Sequence, residues 1–152
     1  MTDRSIVHGN FTVERTYPAS PARVFQAWSD PKKKARWFGS PEEGNPDHIF
    51  EFRIGGREYT ASKGPDGNAF TYDVRYYDIV ENERIVYTYD MTINGPRVSV
   101  SIATVQFIPD GEGTRLTLTE HGAFLDGLDK SADREAGTNW LMDQLGASLK
   151  DN

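Results

Sequence analysis

The sequence predicts an α+β fold in which a curved antiparallel sheet is closed by one long C-terminal helix. Three observations predict it. One strand leads directly into two short proline-started helices, a long tract of period-two alternation follows, and a single helical pattern ends the chain. With 152 residues and no Pro- or Ser-rich linker, the chain reads as one domain over residues 11–152 preceded by a tail over residues 1–10.

The first strand covers residues 11–17. Ser20 before Pro21 suits an N-cap followed by proline at the first helical position, where its missing N–H is not needed. Val24, Phe25 and Trp28 then form one narrow apolar face. Asp30 and Pro31 repeat the start signal, and Gly39 after Trp37 and Phe38 supplies a left-handed stop.

From His48 the period changes to two. Phe50, Phe52 and Ile54 alternate with Ile49, Glu51 and Arg53 up to a turn at Gly55 and Gly56. Residues 57–63 pair back on this strand and end in the turn residues Gly64, Pro65, Asp66 and Gly67. Phe70, Tyr72, Val74 and Tyr76 mark the next strand, and Ile85, Tyr87, Tyr89 and Met91 the one after it. Asn94 and Gly95 open a hairpin whose loop length Pro96 leaves undecided. The last two strands span residues 98–108 and 114–121, joined through residues 110–113. Six consecutive strands with short connections imply antiparallel pairing. The apolar phase changes from Val98, Val100 and Ile102 to Ala103, Val105 and Phe107, which places a bulge near Ile102 and Ala103.

Residues 131–150 carry a helical stripe of Leu141, Leu145 and Leu149 with Thr138 and Met142 beside it, expected on the concave face of the sheet. Gly137 costs about 1 kcal/mol relative to Ala inside a helix, so it implies close approach by another backbone or by a ligand. Trp140 points away from the stripe and needs a second neighbour.

Composition excludes several functions. The net charge of −6 argues against a nucleic-acid surface, and the run Lys32, Lys33, Lys34 with Arg36 reads as the solvated face of a short helix. There is no cysteine, hence no disulfide, thiolate metal site or cysteine nucleophile. His8, His48 and His121 show no metal-ligand spacing, Gly111 and Gly113 belong to a hairpin turn, and neither a nucleophile elbow nor a Ser-His-Asp order is visible. No cofactor is expected. The first eight residues lack the apolar core of a signal peptide, and no run approaches the roughly 20 apolar residues of a membrane span, so cytoplasm is the default and no membrane insertion is expected.

An ordered set of residues resembles the START-like or SRPBCC superfamily, the helix-grip fold shared with Bet v 1 allergens. More narrowly, it is similar to the small bacterial form of the family named for the activator of heat shock protein 90 ATPase. The carrying positions are Val24, Phe25, Ala27, Trp28, Asp30 and Pro31 with Trp37 and Phe38; Phe52, Arg53, Gly55 and Gly56; Pro65, Asp66 and Gly67; and Gly137, Trp140, Leu141 and Leu145. Two departures stand out. Eukaryotic activators join such a domain to an N-terminal domain that contacts the chaperone, whereas ten residues precede the first strand here. Relatives commonly place Gly directly before Trp, whereas Thr138 and Asn139 separate Gly137 from Trp140.

The resemblance implies a cavity between sheet and helix, and the 12% aromatic content offers rings to line it. The candidate lining is Phe25, Trp28, Trp37, Phe50, Phe52, Tyr59, Phe70, Tyr72, Tyr76, Tyr87, Tyr89, Phe107, Glu120, Leu141 and Leu145. Adjacent strand residues face opposite sides, so only one of Glu120 and His121 points inward. If Glu120 continues the phase of Leu116 and Leu118, it is a buried carboxylate with a raised pKa. Glu120 and Arg53 are the candidate polar anchors. The leading expectation is a non-catalytic domain, monomer or homodimer, enclosing a small hydrophobic or amphipathic ligand. The alternatives are a chaperone-associated stress protein with an exposed patch around Trp37 and Phe38, and a cavity enzyme of cyclase or hydrolase type using Glu120 with a Tyr or Arg53.

Overall fold

Seven strands hydrogen-bond into one antiparallel sheet, and its order places the first strand beside the last. The structure is a computed structural model that describes residues 4–38, 48–63 and 66–150. Along the chain the elements are β1 (Ile6–Tyr17), α1 (Pro21–Ser29), α2 (Pro31–Phe38), β2 (Ile49–Phe50), β3 (Arg57–Lys63), β4 (Ala69–Val80), β5 (Arg84–Ile93), β6 (Arg97–Asp110), β7 (Gly113–Leu125) and α3 (Ser131–Lys150). The sheet order is β1-β7-β6-β5-β4-β3-β2. This is the helix-grip arrangement of an α+β fold.

Each local signal has a visible partner. The Ser20 side chain accepts the Arg23 N–H at 3.3 Å, and Asp30 Oδ1 accepts the N–H groups of Lys32 and Lys33, so both short helices begin with filled caps. Asn94 and Gly95 both take positive φ, and Ile93 N–H donates to Pro96 O at 3.1 Å; the hairpin loop therefore has two residues. On β7 the even-numbered side chains Leu116, Leu118 and Glu120 point into the protein while His121 is exposed. Val24, Phe25, Ala27 and Trp28 of α1 fill the core with Phe107 and Leu118 of the sheet and Met142 and Leu145 of α3. No helix among the described residues is long and apolar enough to cross a membrane.

Several expectations are corrected. The tail over residues 1–10 is strand from Ile6 onward, paired in register from Ile6 opposite Leu125 to Tyr17 opposite Thr114. Polar residues such as His8 and Asn10 hid it, because one side of this strand faces solvent. The strand over residues 48–54 shrinks to Ile49–Phe50, since Gly56 N–H bonds back to Arg53 O at 2.8 Å and a Cβ on Gly56 would run into the Glu51 carbonyl. Ile54 is consequently exposed. The bulge lies at the start of β6 and not at Ile102: the register shifts where Met91 faces Ser99 and Thr92 faces Arg97, and Val98 and Ser99 are both buried. Val100 and Ile102 then sit on the convex, solvated face. The α3 stripe is rotated, with Met142 and Leu145 fully buried and Leu141 and Leu149 half-buried at its flanks. Trp140 finds no burying neighbour and is 59% exposed. The stop at Gly39 and the first half of the turn at Gly64 and Pro65 lie outside the described residues.

Candidate functional site

Between the concave face of the sheet, the two short helices and α3 lies a cavity of about 270 Å³. Its walls are built from every layer: Trp28 from α1, Trp37 and Phe38 from α2, Tyr72 from β4, Tyr87 and Tyr89 from β5, Leu118 and Glu120 from β7, and Arg134, Gly137, Thr138, Trp140, Leu141 and Met142 from α3. The cavity is partly open to solvent, and Trp140 is its exposed wall residue. Period two on three strands and the 3.6-residue repeat on α3 bring these side chains together.

The apolar wall is a chain of rings in contact. Trp28 and Trp37 meet at 4.7 Å between centroids, Phe38 and Tyr72 at 5.2 Å, Tyr72 and Tyr89 at 5.0 Å. Trp37 donates its indole N–H to Ala27 O at 2.8 Å, which locks α2 on α1. The Trp28 indole N–H is buried with no hydrogen-bond partner among the described residues.

The polar wall centres on Glu120, 5% exposed. Burial pushes its carboxyl above the usual carboxylate range, while hydrogen bonds from Tyr89 and Thr138 and the charge of Arg134 act the other way. Thr138 Oγ1 lies 3.4 Å from Glu120 Oε2, a long contact. Burial likewise raises the Tyr72, Tyr87 and Tyr89 hydroxyls, so all three stay protonated at neutral pH. Arg134 Nε lies 3.1 Å from Asp129 Oδ2, and Arg134 Nη1 points at Met91 Sδ at 3.3 Å.

A second buried polar cluster stands behind the wall. Lys34 Nζ is 2.6 Å from Glu58 Oε1, the Tyr76 hydroxyl donates to the same oxygen, and the ammonium lies 4.6 Å from the Phe38 ring centroid and 5.1 Å from that of Phe50. Lys34 was expected on a solvated face. It shares an apolar helix face with Trp37 and Phe38 at i+3 and i+4, a spacing that could have revealed it.

Of the sequence candidates, Trp28, Trp37, Tyr72, Tyr87, Tyr89, Glu120 and Leu141 reach the cavity wall. Phe25, Tyr76, Phe107 and Leu145 pack in the core instead, with Phe25 edge-on to Phe52 and Phe107, and Phe50, Phe52 and Phe70 pack half-buried against it. Tyr59 faces the other side of β3, where the Arg57 guanidinium covers its ring at 4.9 Å. Arg53 is exposed in the turn after β2 and pairs with Glu51 at 3.3 Å, so it anchors nothing in the cavity. Phe38, Leu118, Arg134, Gly137, Thr138, Trp140 and Met142 complete the wall; Arg134, Gly137 and Thr138 stand seven, four and three residues before Leu141, the helical spacing that puts them on its face. No backbone approaches Gly137, since a Cβ there would meet nothing within 4 Å, and the residue lines the cavity, which leaves the ligand half of the expectation.

Comparison with known proteins agrees with this architecture. The Mll3558 protein from Rhizobium loti is 42% identical, with a TM-score of 0.88 over 95% of this chain and 99% of that one. An uncharacterised protein from Rhizobium leguminosarum is 39% identical, with a TM-score of 0.92 over 99% of this chain and 100% of that one. The CV1439 protein from Chromobacterium violaceum, 23% identical with a TM-score of 0.75 over 94% of this chain and 98% of that one, shares the fold. No curated protein matches the chain. Residues 18–150 match the family model described as activator of Hsp90 ATPase homolog 1-like protein, and the chain therefore belongs to that family, within the SRPBCC or Bet v 1-like superfamily.

Proposed function

We propose that this protein is a binding domain for a small amphipathic molecule held in the cavity between the sheet and α3. The observation that carries the reading is the cavity's division into an aromatic wall and one polar cluster, the composition usual for ligand sites. Its volume of about 270 Å³ lies just below the range of about 300–1,000 Å³ for drug-sized ligands, which points to a compact ligand of one to three rings. The Glu120 carboxyl in the wall, whose contact with Thr138 is long, favours a ligand with polar atoms over a pure hydrocarbon.

A catalytic reading needs two convergent ionisable groups. Glu120 and Arg134 both line the cavity, but Arg134 is held by Asp129 and the three tyrosine hydroxyls are poor bases, which supports binding over turnover. A chaperone-associated role takes second place. Its expected patch at Trp37 is buried at 2% exposure, and the exposed apolar pair Val100 and Ile102 on the convex face is what favours it instead.

The test is titration with the fluorescent probe N-phenyl-1-naphthylamine. Saturable one-to-one binding is expected, weakened at least about tenfold in Gly137→Leu, whose side chain enters open space beside the cavity. Absence of binding, or equal binding by a Gly137→Leu variant that melts like the wild type, would remove the reading.

A further inference from the structure

We infer that the cavity selects a cationic head group, so that its ligand is a small arylalkyl ammonium compound with the nitrogen against Glu120 and the apolar part against the aromatic wall. This rests on the binding role proposed above.

The charges around the cavity carry the inference. Two ionisable groups of full charge line it, Glu120 and Arg134. Arg134 Nε lies 3.1 Å from Asp129 Oδ2 on a side chain 4% exposed, so Arg134, Asp129 and an ionised Glu120 together carry one net negative charge. Glu120 forms no ion pair among the described residues, so an ionised Glu120 leaves one uncompensated negative charge in a nearly dry wall. Arg134 on α3 acts on Glu120 but is shared with Asp129, and no other element packed against Glu120 brings a cation among the described residues. Phe11 on β1 and Ala103 on β6 stand opposite Glu120 in the ladder, β5 offers the hydroxyls of Tyr87 and Tyr89, and α3 offers Thr138 and the engaged Arg134. Each candidate ligand class meets this wall differently. An anionic head would set two like charges together, and a neutral head would leave the carboxylate unmatched. An ammonium neutralises it in a cavity lined by Trp28, Trp37, Tyr72 and Tyr89, rings whose quadrupoles attract cations over their faces. The net charge of −6 draws cations towards the protein as well.

Linkage gives the pH dependence. Burial raises the Glu120 carboxyl, and a bound cation favours its ionised form, so cation binding releases a proton and strengthens as pH rises through the Glu120 titration. A neutral probe gains nothing from that titration.

The experiment compares benzyltrimethylammonium, its uncharged carbon isostere neopentylbenzene and the anion phenylmethanesulfonate, followed by tryptophan fluorescence between about pH 5 and pH 8, with N-phenyl-1-naphthylamine as a control for the cavity. The ammonium is expected to bind at least about tenfold tighter than its isostere at the upper pH, to lose that advantage towards the lower pH, and to lose it throughout in Glu120→Gln. If Glu120→Gln does not fold, the wild-type pH series alone decides. Equal affinity for cation and isostere, or preference for the sulfonate, overturns the inference while the binding role stands on the naphthylamine result. Failure of all four probes overturns both.

Discussion

Lys34 on α2 and Glu58 on β3 meet at 2.6 Å with their side chains 9% and 3% exposed, an ion pair almost closed to water. The two residues are 24 positions apart, and their contact ties the helix carrying Trp37 and Phe38 to the sheet edge opposite β1. The cavity roof therefore depends on a charge pair hidden behind it. Removing one partner from a buried pair leaves the other unpaired in an apolar setting, whereas removing both can be nearly neutral. Lys34→Met is expected to cost about 3–5 kcal/mol in urea unfolding, and the double variant Lys34→Met with Glu58→Leu to recover most of it. Additive losses would show that the pair does not act as a unit.

Glu120 sets a pH dependence of stability with a definite sign. Its pKa is higher in the folded than in the unfolded chain, so the native state holds more protons between the two values and stability falls as pH rises through them. The penalty is absent below the unfolded value and complete above the folded one. Glu120→Gln is accordingly expected to have a higher urea midpoint than wild type at about pH 7.5, with the gap closing towards about pH 4, where the unfolded carboxyl is itself protonated. A gap that widens on acidification would contradict the assigned environment.

Two glycines of α3 respond differently to alanine. A Cβ at Gly137 meets nothing within 4 Å, whereas one at Gly146 lies 3.1 Å from Tyr17 Cε1, on a ring held by its hydroxyl bond to Met142 O at 2.7 Å. Gly137→Ala is expected to stabilise by about 0.5–1 kcal/mol and raise the melting temperature by about 1–4 °C. Gly146→Ala gains the same propensity but must displace a buried ring, so its melting temperature is expected to fall below that of Gly137→Ala. The same melting curve reports both.

Much of the fold was legible because its signals are local. Caps at Ser20 and Asp30, the turn at Asn94 and Gly95, and alternation along β4, β5 and β7 each act within a few residues. The candidate site was legible only in part. Tyr72, Tyr87 and Tyr89 reach the cavity from the same alternating phase that sends Tyr76 into the solid core, since distance along a curved strand and not parity separates wall from filling. The Arg53 anchor failed because the two glycines after it convert its strand into a turn, and Lys34 was misread because three adjacent lysines suggest solvent when the helix phase buries one of them.

By itself the sequence determined the order of elements, the antiparallel sheet, and the inward phase that carries Leu116, Leu118 and Glu120, because periodicity and turn chemistry depend on neighbours in the chain. Only the tertiary structure decided that Ile6 joins β1, that Lys34 pairs with Glu58, and that Gly137, Thr138 and Arg134 of α3 line one cavity with Glu120 of β7. Those relationships join residues far apart in the chain, and they exist only once the sheet has curved and α3 has docked, so no local pattern encodes them.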